Sequence, residues 1–185
     1  MNSDKQIKAG KITALVSFLI GTTIFGFYFW TSSSELLFIG YGFFLLAGFI
    51  NLVILGTIII LLFKENTNKK RLFLTSGLML LNIPVMLFYC SIAFVLLGTM
   101  RITFTNATDK ILTDINIIGC EPKHIDKLEI GETKTVWVGI TGDCTINIDY
   151  FVDGERKEEN VVGYVTSSMG QKMKHNIGGH NDNIF

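Results

Sequence analysis

No lysine, arginine, aspartate, glutamate or histidine lies within residues 12–30, 36–63 or 72–99. Runs of that length without a polar face are foreign to the surface helices of a water-soluble domain. The same absence argues against proton relays and ion pathways, which are built on intramembrane titratable side chains. Only Glu35 stands at the rim of the second run. Net charge is lacking too: 16 basic and 16 acidic residues cancel, so no global field favours nucleic acid or acidic substrates, and no nucleic-acid binding is expected.

Motifs of catalysis are also missing. There is no Gly-x-Ser-x-Gly elbow, no His-Glu-x-x-His helix and no glycine-rich phosphate loop. Ser167 and Ser168 as nucleophiles, His124 or His175 as bases, and Asp126 or Asp143 as orienting groups are residue types that any small domain contains. The expectation is a protein that is not an enzyme and carries no cofactor.

What is present is apolar and bimodal. Hydrophobic residues make up 49% of the 185, mean hydropathy is +0.43, and the 15 phenylalanines concentrate in the first half. A hydrocarbon core of about 30 Å needs roughly 20 apolar residues in a helix. All three runs meet that need, and the longer second and third must tilt or project into the headgroups. A cleaved signal peptide would be shorter than the first run and would end in small residues, whereas this run ends in Phe27, Tyr28, Phe29 and Trp30.

Orientation follows from the basic residues. Lys5, Lys8 and Lys11 precede the first run, and Lys64, Lys69, Lys70 and Arg71 separate the second from the third, while residues 31–35 contain none. The positive-inside rule puts the N-terminus in the cytoplasm and the C-terminal part outside a plasma or inner membrane. Tyr28, Trp30 and Tyr41 then fall at the outer interface. Thr13, Ser17 and Gly21, Thr22 and Gly26, and Gly48 and Gly56 are spaced for close helix packing, within the chain or in a homo-oligomer. Asn51 and Asn82, deep in antiparallel runs, are expected to bring their amides together as an intramembrane contact. Pro84 is expected to kink the third helix by freeing the Leu80 carbonyl.

From Met100 the period becomes two. Ile102 and Phe104; Ile115 and Ile117; Val136, Val138 and Ile140; and Cys144, Ile146, Ile148, Tyr150 and Val152 alternate with polar residues, as in half-buried antiparallel strands. Turn chemistry recurs at Asn106 to Asp109, Gly131-Glu132, Gly142-Asp143 and Asp153-Gly154, the last a strong hairpin signal. The fold class expected is an α+β membrane protein: a three-helix bundle over residues 1–99, then a β domain over residues 100–185. That domain should hold five to seven strands in a sandwich of immunoglobulin-like type. Glu155 to Glu159 reads as a solvated hairpin arm, and Gly178 to Asn183 as a frayed tail.

Cys120 and Cys144 are the only cysteines in the exported part, and an oxidising compartment favours a disulfide between them; Cys90 is read as a packing residue. A zinc set of Cys120, His124, Cys144 and His175 is the alternative, although its spacing fits no specific zinc pattern. Asn106-Ala107-Thr108 matches the glycosylation acceptor pattern but is assigned no role.

These features suit a module anchored in membrane lipid that presents its β domain to a protein partner outside the cytoplasm, as an immunity or accessory protein would. The contacts proposed are Asp153, Glu155 and Arg156 at the hairpin tip, with Trp137. The alternatives are a homo-oligomeric channel or pore-forming effector, supported by the small-residue faces and the two asparagines, and a membrane enzyme with an exported metal site.

Overall fold

A computed structural model describes residues 3–64 and 68–181. Among the described residues, four helices, α1 (Ser3–Thr31), α2 (Ser34–Lys64), α3 (Lys69–Leu80) and α4 (Asn82–Leu97), precede seven strands. The chain divides into two compact units between Ile92 and Ala93. Three helical stretches, with α3 and α4 taken as one, are long and apolar enough to cross a membrane. The class is therefore α+β.

In the helical unit, α1 is the element to which the others bond. Ile7 and Ala14 of α1 pack with Ile58 and Leu61 of α2 and with Leu72 and Met79 of α3. Gly10 sits at their centre, where an added Cβ would lie 2.7 Å from Ile58 Cδ1 and 2.8 Å from Thr75 Cγ2. Such a small residue lets the helix backbones approach closely, a device common where helices pack in membranes. The spacing pattern in the sequence points elsewhere: an added Cβ at Gly26, Gly48 or Gly56 meets nothing within 4 Å. Polar pairs continue along α1. The Asn68 amide donates to Ser3 Oγ at 3.0 Å, Thr57 Oγ1 to Gln6 Oε1 at 3.2 Å, and Thr22 and Tyr89 share a hydroxyl bond of 2.9 Å.

The third apolar stretch breaks at Leu81, between α3 and α4. Pro84 has no N–H to offer the Leu80 carbonyl, and beginning a new helix at Asn82 puts the proline in a first turn, where its missing donor costs nothing.

The β unit has two sheets. β1 (Thr99–Asn106) lies between β4 (Thr133–Gly139), antiparallel, and β7 (Lys172–Ile177), parallel. The other sheet has the order β3 (Lys123–Leu128), β2 (Leu112–Ile118), β5 (Cys144–Val152) and β6 (Glu155–Val165), all antiparallel. Met100, Ile102 and Phe104 of β1 share one core with Ile115 and Ile117 of β2, Ile146, Ile148 and Tyr150 of β5, and Val162 and Val165 of β6. The two-residue alternation read from the sequence thus reports the inner faces. Asp153 and Gly154 have φ of 50° and 82° and form the β5–β6 turn that their residue types favour.

A carboxylate bridges each open seam between the sheets. Glu121 Oε2 accepts from the Gly139 N–H at 2.9 Å, beside β4. Glu159 of β6 accepts from the Gly178 N–H at 2.9 Å, just past β7. Residues 178–181, expected to fray, fold back on β7: Asn181 Nδ2 donates to the Asn176 carbonyl at 3.0 Å. Asp182 and Asn183 lie outside the described residues.

Candidate functional site

The outer face of the four-stranded sheet carries a row of polar side chains that crosses all four strands. His124 Nδ1 of β3 bonds Asn116 Oδ1 of β2 at 2.9 Å, and the Asn116 amide donates to Asp149 Oδ1 of β5 at 3.0 Å. Arg156 Nη2 of β6 then reaches Asp149 Oδ2 at 2.9 Å and lies 3.7 Å from Glu158 Oε1. Asp114 and Asp126 flank His124 at 3.7 Å and 3.1 Å. Asp114 belongs to a β-bulge, where the register of β2 shifts and its φ is 51°, a conformation that aspartate tolerates better than most residues. Next to the row is a shallow depression of about 220 Å³ lined by Ile118, Asn147, Glu158 and Asn160.

Asp149 is the centre of this row. Period two puts it on the solvent side of β5, yet it is only 5% exposed, because Asn116 and Arg156 close over it. The Asn116 amide holds its carboxyl below the usual aspartate range against the opposing effect of burial, and the Arg156 guanidinium adds to this. Arg156 itself is anchored at one end and exposed at the other, so it is a pre-oriented donor whose rotamer freedom is already spent.

A second, inward-facing group lies across the β6–β7 seam. Glu159 Oε1 accepts from Tyr150 Oη at 2.7 Å as well as from Gly178, and its Oε2 lies 3.0 Å from His175 Nε2. Burial disfavours the charge of Glu159, but the bonds from His175, Tyr150 and Gly178 more than offset it and hold its pKa below the usual value. Burial, reinforced by Glu159, pushes the Tyr150 hydroxyl up. The Phe104 ring stands edge-on to His175, whose side chain is almost wholly enclosed.

The residues singled out from the sequence are scattered among these features. Arg156 belongs to the polar row. Asp153, at the hairpin tip, pairs with Lys110 at 3.2 Å, and Glu155 is exposed beside it. Trp137 is on the opposite sheet, 43% exposed, with the Arg101 guanidinium 5.5 Å from its ring centre. Asn51 and Asn82 do not pair with each other. Both turn to α1, Asn51 donating to Ser17 Oγ at 2.8 Å and Asn82 to the Ala14 carbonyl at 3.0 Å, because α1 lies against both of their helices. Asn51 Oδ1 is buried with no partner.

Cys120 and Cys144 form a disulfide with a Cα–Cα distance of 5.5 Å, as a bridge requires. The alternative zinc set loses both sulfurs to it. Its histidines are engaged separately, His124 with Asn116 and Asp126 and His175 with Glu159. Among the described residues no cluster of histidine, cysteine or carboxylate ligands could hold a metal ion. Asn106 is 1% exposed, its amide donating to the Lys110 carbonyl at 2.7 Å and the Leu128 carbonyl at 3.1 Å, so the acceptor sequence serves to shape a turn.

Asn116 and Asp149 escaped the sequence reading, and Glu159 entered it only as the end of a solvated arm. The one usable signal was Asp149, a carboxylate between two inward residues of the strand whose sequence alternates most clearly. The chain matches no family model, no curated protein and no solved structure.

Proposed function

We propose that this chain is a membrane-anchored binding module. Its helices span the membrane with the N-terminus in the cytoplasm, and its β unit, a sandwich of immunoglobulin-like architecture, faces a protein partner outside. The strand orders 4-1-7 and 3-2-5-6 differ from the ABED/CFG pairing of constant-type immunoglobulin domains, so the likeness is one of layers rather than connections. The observation that carries the reading is the Cys120–Cys144 disulfide in the unit that follows three long apolar helices, since structural disulfides belong to oxidising compartments. The charged row ending at Arg156 supports recognition of a polar protein surface. An anchored arginine and a buried carboxylate are what a specific, electrostatically steered contact uses.

The test is site-specific photocrosslinking in native membranes from positions 153 and 155, which flank the arginine and leave it in place. One partner captured at these positions, and lost in R156E, supports the proposal. If no protein crosslinks there while the purified full chain conducts ions in planar bilayers, the channel reading replaces it. The unpartnered Asn51 Oδ1 is the observation that favours that second reading. Orientation is tested by thiol labelling in a C90A background: Ser168→Cys should react in intact cells, and Asn68→Cys only after permeabilisation.

A further inference from the structure

The outer face of the four-stranded sheet holds a hollow that the polar row borders but does not fill. Strand register lays two rows side by side: Asn116, Asp149 and Glu158, and then Ile118, Asn147 and Asn160. The hollow, of about 220 Å³, lies between them over the Ile148–Glu159 pair of β5 and β6. The Ile148 side chain belongs to the core, so the strand backbone forms the floor there. A bulge adjoins it. Ile146 pairs with Val162 and Asn147 with Asn160, so Val161 is an extra residue in an edge strand, which bends the strand and re-aims its side chains.

The lining has an apolar side and an acidic one. Ile118 is 40% exposed, an uncovered aliphatic side chain beside amides and carboxylates. Glu158 meets Arg156 only loosely, at 3.7 Å, because the guanidinium is committed to Asp149 at 2.9 Å. The Asn160 amide donates to Asn147 Oδ1 at 2.7 Å and keeps its own oxygen as an acceptor. Charge on the face is one-sided as well. Asp114, Asp126 and Glu158 surround the neutralised Asp149–Arg156 pair, and the lysines of β3, Lys123 and Lys127, are held by Glu121 and Glu129. A cation approaching this sheet is attracted to it, and an anion is not.

We propose that the hollow receives a lysine side chain of the protein partner. The methylene stem lies along Ile118, and the ammonium, a compact charge with three donors, meets the Glu158 carboxylate and the Asn160 oxygen. At about 220 Å³ the hollow is smaller than the pockets of roughly 300–1,000 Å³ that enclose whole small molecules, and it suits one long side chain. The proposal rests on the binding-module reading above and gives that partner a chemistry: a basic side chain for the hollow, beside a polar group for Arg156.

The test uses the full chain in nanodiscs with isotope-labelled isoleucine methyl groups, the Ile118 signal being assigned through I118V. The probes are the acetylated, amidated peptide Gly-Lys-Gly and its norleucine counterpart, which keeps the stem and lacks the charge. The lysine peptide should move the Ile118 methyl signal in a saturable, salt-sensitive way and leave that of Ile130, exposed between β3 and β4, in place. The norleucine peptide should move neither. E158Q should weaken the lysine peptide on the order of threefold, as the loss of an exposed ion pair does, and unmoved signals from the core residues Ile146 and Ile148 verify that the fold persists. Equal movement with the two peptides, no saturable movement, movement at Ile130 as large as at Ile118, or an affinity unchanged in E158Q overturns the proposal. Crosslinking from positions 153 and 155 tests the binding-module reading by itself. If a partner is captured there while Ile118 is indifferent to lysine, only the lysine site has failed; if Ile118 responds and no partner is captured, the binding-module reading has failed.

Discussion

The helical unit and the β unit use phenylalanine in opposite ways. Phe104 is fully enclosed between two sheets, whereas Phe38, Phe49 and Phe63 are 75%, 68% and 87% exposed. Among the described residues the helices bury a small cluster around Gly10, while the β unit closes one continuous core. An apolar surface as extensive as that of α1, α2 and α4 is far beyond what a water-soluble monomer leaves uncovered. The difference is what the membrane-spanning reading expects, in which the two units fold against different solvents. In the first, order comes from a few tight contacts and polar pairs; in the second, it comes from burial.

The sharpest way to break that comparison is to remove one ring from each unit. Phe104→Ala should destabilise the β unit by about 4 kcal/mol, a transfer loss plus a cavity. Phe49→Ala should change little. Thermal unfolding of the full chain in nanodiscs, followed by β-sheet and helical signals separately, reads both, and equal losses would contradict the two-solvent account. The next effect is that of the Cys120–Cys144 bridge, whose partners are 24 residues apart. C120S/C144S should lower β-unit stability by about 3 kcal/mol on the loop-entropy account, with the helical transition unmoved. Urea titration with and without reductant measures it.

Acid should then act on the β unit through Glu159 and Asp149. The folded pKa of each is depressed, so each contributes stability that is fully present above its unfolded value and is lost as pH falls through the folded one. Unfolding measured from pH 7 down to pH 3 should show this loss, and Glu159→Gln should flatten the profile at a cost of about 2 kcal/mol at neutral pH. A profile identical to that of the unaltered chain would show that the seam is held by packing alone. The smallest effect is expected within the helices: Asn51→Ala and Asn82→Ala should each cost about 0.6 kcal/mol, typical of interhelical polar contacts in membranes. A loss several times larger in steric trapping or helix-association assays would mean that polar pairs, not Gly10, organise that unit.

Much of this architecture was legible because periodicity is a local property. Residues 12–30 and 36–63 announce their helices by length alone, and Ile146, Ile148, Tyr150 and Val152 announce the inner face of β5. Asp153-Gly154 reveals its turn because few other pairs accept positive φ at both positions. The partners of those elements were not legible. Glu155 to Glu159 read as a solvated arm because charge along a strand does not reveal that Glu159 meets His175 and Gly178 from another sheet. Gly10 escaped for the same reason: the close approach depends on Ile58 and Thr75, 48 and 65 positions away. The polar row across the four-stranded sheet joins four strands in the order 3-2-5-6, and a pattern within any one of them contains a quarter of it.

The parallel pairing of β1 with β7 has a mechanical consequence. The chain enters the β unit at the start of β1 and leaves it past the end of β7, so the two points of attachment are at opposite ends of one parallel pair. Tension applied between the helix and a handle attached after β7 would load the pairs from Arg101–Lys172 to Asn106–Ile177 along the strand axis, all six together. Hydrogen bonds pulled in shear share the load, whereas those at the end of a hairpin fail one after another. The same unit should therefore resist a pull along this axis far better than one applied across the β5–β6 hairpin.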